Sequence, residues 1–146
     1  MRRTALASTF AIALAAVPLA AAGNVPAEGG RPISVMMTGA AEQPGPGDPD
    51  GSGTAHFRLN PGLEQICYTL EVSDIAPAAA AHIHIAGPDA PGPVVVPLTA
   101  PTSGMSSGCA DVDRELVLDI IHNPGDYYVN VHNADFPAGA VRGQLG

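Results

Sequence analysis

The sequence predicts an all-β domain: an antiparallel, Greek-key, immunoglobulin-like β-sandwich carrying one short helix. Three observations carry that prediction. Short stretches of alternating apolar and polar residues recur along the chain, which is the period-2 pattern of half-buried strands. Loops rich in glycine and proline separate them, with 17 Gly and 15 Pro in 146 residues. A single segment, around residues 111–121, has helical spacing instead. Many short strands with Gly/Pro turns and a lone helix fit a sandwich better than a parallel α/β sheet.

The first strand is expected at Ile33 to Thr38, where Ile33, Val35 and Met37 alternate with Ser34, Met36 and Thr38. Residues 40–52 hold Pro44, Pro46 and Pro49 among glycines, so they form a long loop. Its Asp48 and Asp50 lack the ligand spacing of a calcium loop. Thr54 to Asn60 and Gln65 to Val72 alternate again around an Asn60-Pro61-Gly62 turn and read as a hairpin. In the second of these strands Ile66, Tyr68, Leu70 and Val72 face inward, leaving Cys67 on the outer face.

A connection through Pro77 leads to Ala81-His82-Ile83-His84-Ile85. Both imidazoles fall on one face of that strand, and parity points them away from the apolar core. A Gly/Pro loop follows over 86–93, then a short strand at Val94 to Leu98, then a loop from Thr99 to Gly108 closed by Cys109. Asp111 and Asp113 stand at a capping position before about ten residues of helix, which Asn123-Pro124-Gly125 ends. Tyr127 to His132 is a strand with Tyr127, Val129 and Val131 inward and Tyr128, Asn130 and His132 outward. Ala140 to Leu145 closes the fold with Arg142 and Gln144 outward.

Compartment follows from the first residues. Arg2 and Arg3, an apolar run from Thr4 to Ala20, and Ala20-Ala21-Ala22 before Gly23 make residues 1–22 a secretory signal peptide. Its short, Ala-rich core with Pro18 argues against a permanent span, so no membrane span is expected after cleavage. Residues 23–32 read as a flexible lead-in and 33–146 as one domain of roughly 120 residues or fewer, enough for a single core. Cleavage leaves four arginines and no lysine against fourteen acids, a net charge of −10. Such a surface repels nucleic acid and anionic lipid. A secreted or periplasmic setting is oxidising, so Cys67 and Cys109 are expected to pair as a disulfide.

Six ordered blocks add a resemblance to a known family: Gly53-Thr54-Ala55, Cys67-Tyr68-Thr69-Leu70, Ala81-His82-Ile83-His84, Gly92-Pro93-Val94-Val95, Tyr128-Val129-Asn130-Val131-His132 and Arg142-Gly143-Gln144-Leu145. Together these resemble the CHRD domain, named after chordin, from Ile33 to Leu145. The resemblance implies an extracellular or periplasmic β-sandwich and marks the cysteine pair as similar to that of bacterial members. It does not carry the growth-factor role of the animal proteins, because no cysteine-rich von Willebrand-type repeats accompany the domain here. A looser similarity links the His-x-His strand, the later His132 and Arg142 to the copper-binding histidines and active-site arginine of copper/zinc superoxide dismutases. The two-metal site of that family also needs a bridging histidine and further zinc ligands, and residues 86–119 contain no histidine.

Two functions from different classes follow. One is an exported, non-enzymatic binding or structural module with an extracellular or periplasmic ligand whose identity the sequence does not give. The other is a copper- or zinc-binding protein using His82, His84 and His132, with redox chemistry akin to superoxide dismutase as its furthest extension. Three neutral imidazoles suit either metal, and His56 and His122 are the candidates for a fourth ligand. Tyr128, Asn130 and Arg142 share the face and are candidates to orient the ligands. Arg142 is expected to pair with Asp135 or another surface carboxylate, with an anion-guiding role as the alternative. Without metal, the histidines would hydrogen-bond the loop backbone and brace the turns after them. No catalytic residue is assigned: no serine sits in a nucleophile elbow, and Asp111 and Asp113 read as helix-start residues.

Overall fold

The computed structural model describes residues 29–146; the expected signal peptide and most of the expected lead-in lie outside the described residues. Eight strands form antiparallel ladders: β1 (Arg31–Thr38), β2 (Ser52–Asn60), β3 (Gln65–Ser73), β4 (Ala80–Ile85), β5 (Val94–Leu98), β6 (Met105–Asp111), β7 (Tyr127–His132) and β8 (Val141–Gln144). One helix, α1 (Arg114–His122), stands between β6 and β7. Its start at Arg114 places Asp113 at the N-cap position, though the Asp113 side chain makes no cap hydrogen bond.

All eight strands join one sheet in the order β5-β4-β7-β8-β1-β2-β3-β6. The sequence reading expects two facing sheets, whereas the ladder here is continuous and curls until its two edges approach. The edges meet through Thr99, just after β5: its N–H donates to the Tyr68 hydroxyl at 2.8 Å, and its carbonyl accepts from Ser106 of β6 at 2.7 Å. The result is a nearly closed, barrel-like sheet. Closure hides the edges that would otherwise template further pairing.

Alternation places Val35, Met37, Ala55, Phe57, Leu59, Ile66, Tyr68, Leu70, Ile83, Val129, Val131 and Val141 in one core, to which α1 adds Val117 and Ile120. Ile85, expected inward, is instead a partly exposed strand end at 38 %. The hairpin turn is fixed by Asn60, whose carboxamide oxygen accepts the N–H groups of Gly62 and Leu63, each at 3.1 Å.

The main departure from the sequence reading is β6, where residues 99–108 were expected to be loop. Met105-Ser106-Ser107-Gly108-Cys109-Ala110 has no large apolar face, so periodicity does not reveal a strand. It nevertheless pairs with β3 from Gln65↔Asp111 to Glu71↔Met105. Small residues are required there: a Cβ on Gly108 would stand 3.0 Å from the Tyr68 hydroxyl oxygen. Cys67 and Cys109 are direct partners in this ladder and form a disulfide. The bond therefore staples two paired strands; it does not tie a surface loop to the sheet, and Cys67 is buried beneath it.

Candidate functional site

The outward face of β4, β7 and β8 is not a surface. Three loops fold over it: residues 39–48 after β1, 86–93 after β4, and 133–140 after β7. They bury His84 (7 % exposed), Tyr128, Asn130 and Arg142 (1 % exposed), while His82 and His132 stay half-buried. Parity puts these side chains on one face as expected, but that face is a second, polar interior.

Register explains how they meet. β4 and β7 pair as His82↔Asn130 and His84↔Tyr128, with His132 opposite Ala80, one step beyond His82 on the same face. β7 and β8 pair as Asn130↔Arg142 and Tyr128↔Gln144. Neighbouring Cβ atoms on one face lie about 5 Å apart, so three imidazoles converge. One ligand atom from each of His82, His84 and His132 lies within 4.8 Å of the others.

Each ring is oriented by a defined partner. His84 Nδ1 lies 2.8 Å from the Gly92 carbonyl and His132 Nδ1 lies 3.1 Å from the Pro137 carbonyl. A carbonyl only accepts, so both Nδ1 atoms carry the proton and both Nε2 atoms present a lone pair. The Nδ1 of His82 stands 3.2 Å from His132 Nε2 and donates to it. His84 Nε2 is buried with no hydrogen-bond partner. Backbone bonds of the kind expected of a purely structural set are therefore present for His84 and His132 but not for His82, whose ring bonds His132 instead. Burial is the main reason the pKa of His82 is lowered, helped by His132 and His84 beside it. His132 is lowered by burial too, against a rise from its bond to Pro137. Both rings are thus held neutral at pH 7, the form that binds metal.

Tyr128 and Arg142 form the wall behind His84. The Tyr128 ring stacks on the His84 ring at 4.7 Å, nearly parallel, and the Arg142 guanidinium lies 3.4 Å from the centre of the Tyr128 ring. Gly92, whose carbonyl holds His84, also donates its N–H to the Tyr128 hydroxyl at 3.2 Å. Arg142 does not pair with Asp135. Its guanidinium donates to the carbonyls of Gly87 (2.8 Å) and Ala90 (3.0 Å), fastening the 86–93 loop over the site.

The proposed fourth ligands are elsewhere. His56 bonds Ser34 at 3.0 Å on the exposed face of β1 and β2, and His122 ends α1.

One buried group escaped sequence reasoning. Glu42, in the Pro-rich loop read as plain surface, is 2 % exposed, and neither carboxylate oxygen has a hydrogen-bond partner. It packs under Gly139, where a Cβ would come within 2.3 Å of the carboxylate. Burial raises its pKa to about 7, opposed by the charge of Arg142 and the amide of Asn130. The folded protein therefore holds a proton there that the unfolded chain releases above about pH 4.5, so stability falls as pH rises from 4.5 to 7 and stays low above. The loss amounts to as much as about 3 kcal/mol. Glu42→Gln is expected to remove it: urea unfolding at pH 8 should show the variant more stable than wild type, with the two alike at pH 5. Equal stabilities at pH 8 would contradict a buried, raised carboxyl.

Residues 33–145 match the family described as CHRD domain. No curated protein and no solved structure matches the chain.

Proposed function

Because the chain belongs to the CHRD domain family, we propose that it works as an exported, non-enzymatic binding module, and that its ligand is a copper or zinc ion held by His82, His84 and His132. The single observation that carries the metal reading is the convergence of the three rings, with one ligand-capable nitrogen of each within 4.8 Å of the others. Two nitrogens bound about 2.0 Å from one ion at tetrahedral angles lie about 3.3 Å apart. His82 Nδ1 and His132 Nε2 are separated by 3.2 Å. His84 Nε2 is the third donor, and its lack of any other partner supports that role. The ligand atoms would be Nδ1 of His82 and Nε2 of His84 and His132, with a fourth position left for water or another ligand. His82 then shifts its proton from Nδ1 to Nε2.

Backbone bonds to metal-ligating imidazoles fix tautomer and raise basicity, and their loss lowers affinity by roughly 10- to 100-fold. Gly92 and Pro137 fill that role here, and Tyr128 and Arg142 hold Gly92 and His84 in place. Asn130 stands beside His82 on β7 without touching the ligand atoms through any hydrogen bond. We do not extend the reading to redox catalysis, since residues 86–119 supply no histidine for a second metal. The crossovers from β3 to β4 and from β6 to β7 support a Greek-key path within the closed sheet. The disulfide is compatible with a periplasmic or extracellular location, and no helix among the described residues is long and apolar enough to cross a membrane.

Metal analysis of the mature protein after exposure to copper or zinc and desalting tests the reading. One equivalent retained by wild type and lost from His82→Ala/His84→Ala is the expected result. Wild-type protein that emerges metal-free from both challenges would sink it.

A further inference from the structure

Glu42 and Asn130 leave three buried oxygens without hydrogen-bond donors, both carboxylate oxygens of Glu42 and the carboxamide oxygen of Asn130. They lie on the same side of the sheet as the histidines. His82, Asn130 and Arg142 form one row across β4, β7 and β8, and Glu42 sits over the Asn130–Arg142 end of it. A proton on Glu42 turns one of these acceptors into a donor within reach of Asn130, which accounts for a carboxyl group buried without a cationic hydrogen-bond partner.

We infer that metal binding at the three histidines drives the ionisation of Glu42, so that the protein releases this proton when it takes up the ion. The inference rests on the metal reading above. A divalent cation entering one strand away favours the carboxylate over the acid through a low-dielectric interior. By linkage the same coupling makes affinity rise with pH while Glu42 titrates. The groups facing Glu42 are few. Arg142 on β8 is the charge that acts on it, Asn130 on β7 and the backbone of Gln43 are polar but uncharged neighbours, and Gly47 and Gly139 supply only backbone. Asp89, on the 86–93 loop, acts on Arg142. Arg142 keeps its positive charge and Asn130 has none to lose, so Glu42 is the member of this set whose charge changes near neutrality.

With its pKa at about 7, Glu42 is roughly three-quarters protonated at pH 6.5. Calorimetric titration with zinc at pH 6.5, in two buffers of different ionisation enthalpy, counts the protons released. Wild type is expected to release about 0.7 proton more than Glu42→Gln, and its affinity to climb about fivefold more between pH 6 and 7. Protons from the histidines are common to both proteins and cancel in the difference. A second measurement needs no variant: the Glu42 side-chain carboxyl, followed by carbon-13 NMR, should titrate about two pH units lower with zinc bound. Zinc binding with equal proton release and an unmoved carboxyl titration overturns the linkage alone. No zinc binding by wild type overturns the metal reading and the linkage with it.

Discussion

Replacing His132 with alanine is expected to cut zinc or copper affinity by at least about a hundredfold, whereas His56→Ala and His122→Ala leave it unchanged. His132 is the single ligand that β7 contributes, and its Nε2 is the atom facing His82 Nδ1 at 3.2 Å. Without it two imidazoles from one strand remain, and a pair on β4 has no third arm to close the coordination sphere. Loss of an orienting partner alone lowers metal affinity roughly 10- to 100-fold, so loss of the donor atom itself falls at or beyond the upper end. His56 is bonded to Ser34 across β1 and β2, and His122 is the exposed last residue of α1. Competition titrations against a chelator of known affinity compare the three variants. An His132→Ala protein that binds as tightly as wild type would show that the metal sits elsewhere, and an equal loss in all three would point to non-specific imidazole binding.

How the site was foreseen, and where it was not, follows from what periodicity encodes. Strict alternation in Tyr127 to His132 and in Ala81 to Ile85 gives parity, and parity alone puts His82, His84 and His132 on one face. Adjacency of β4 and β7 is not encoded locally, because 41 residues separate the strands and their pairing is decided by the closure of the whole sheet. Burial of that face was equally invisible. Arg142 and Tyr128 occupy polar positions in their alternation, and nothing in β8 announces that the 86–93 loop will lie on them. The loops that do so are rich in Gly and Pro, which reads as solvent-exposed turn, yet their carbonyls are the acceptors that satisfy Arg142 and orient His84 and His132. Glu42 shows the same limit: an acid between two alanines and Gln43-Pro44 looks like surface, and the packing of Gly47 and Gly139 against it encloses the side chain. β6 failed for the opposite reason. Its residues are small because Tyr68 fills the space above Gly108, so the strand has no apolar signature of its own.

That weakness of β6 makes the disulfide the largest single stabilising element open to test. Met105 is 56 % exposed, and the serines, Gly108 and Ala110 bring little apolar area to the core, so hydrophobic burial holds this edge poorly. The Cys67–Cys109 bond spans 42 residues, a segment that contains β4 and β5 and thus two of the three histidines. Cross-linking a loop of that length removes chain entropy from the unfolded state worth about 4 kcal/mol. Cys67→Ala/Cys109→Ala is expected to lower stability by about 3–4 kcal/mol and the melting temperature by on the order of 15 °C. Metal stoichiometry at 20 °C should nonetheless be unchanged, since the histidines are held by β4, β7 and their loops on the other half of the sheet. Thermal melts of oxidised wild type, reduced wild type and the double variant, each with and without zinc, test both halves of the statement. Coincident melts for oxidised and reduced protein would mean that the β3–β6 ladder and the Thr99 contacts hold the edge without the covalent bond. Loss of metal binding in a variant that remains folded would mean that the disulfide reaches across the sheet to shape the site.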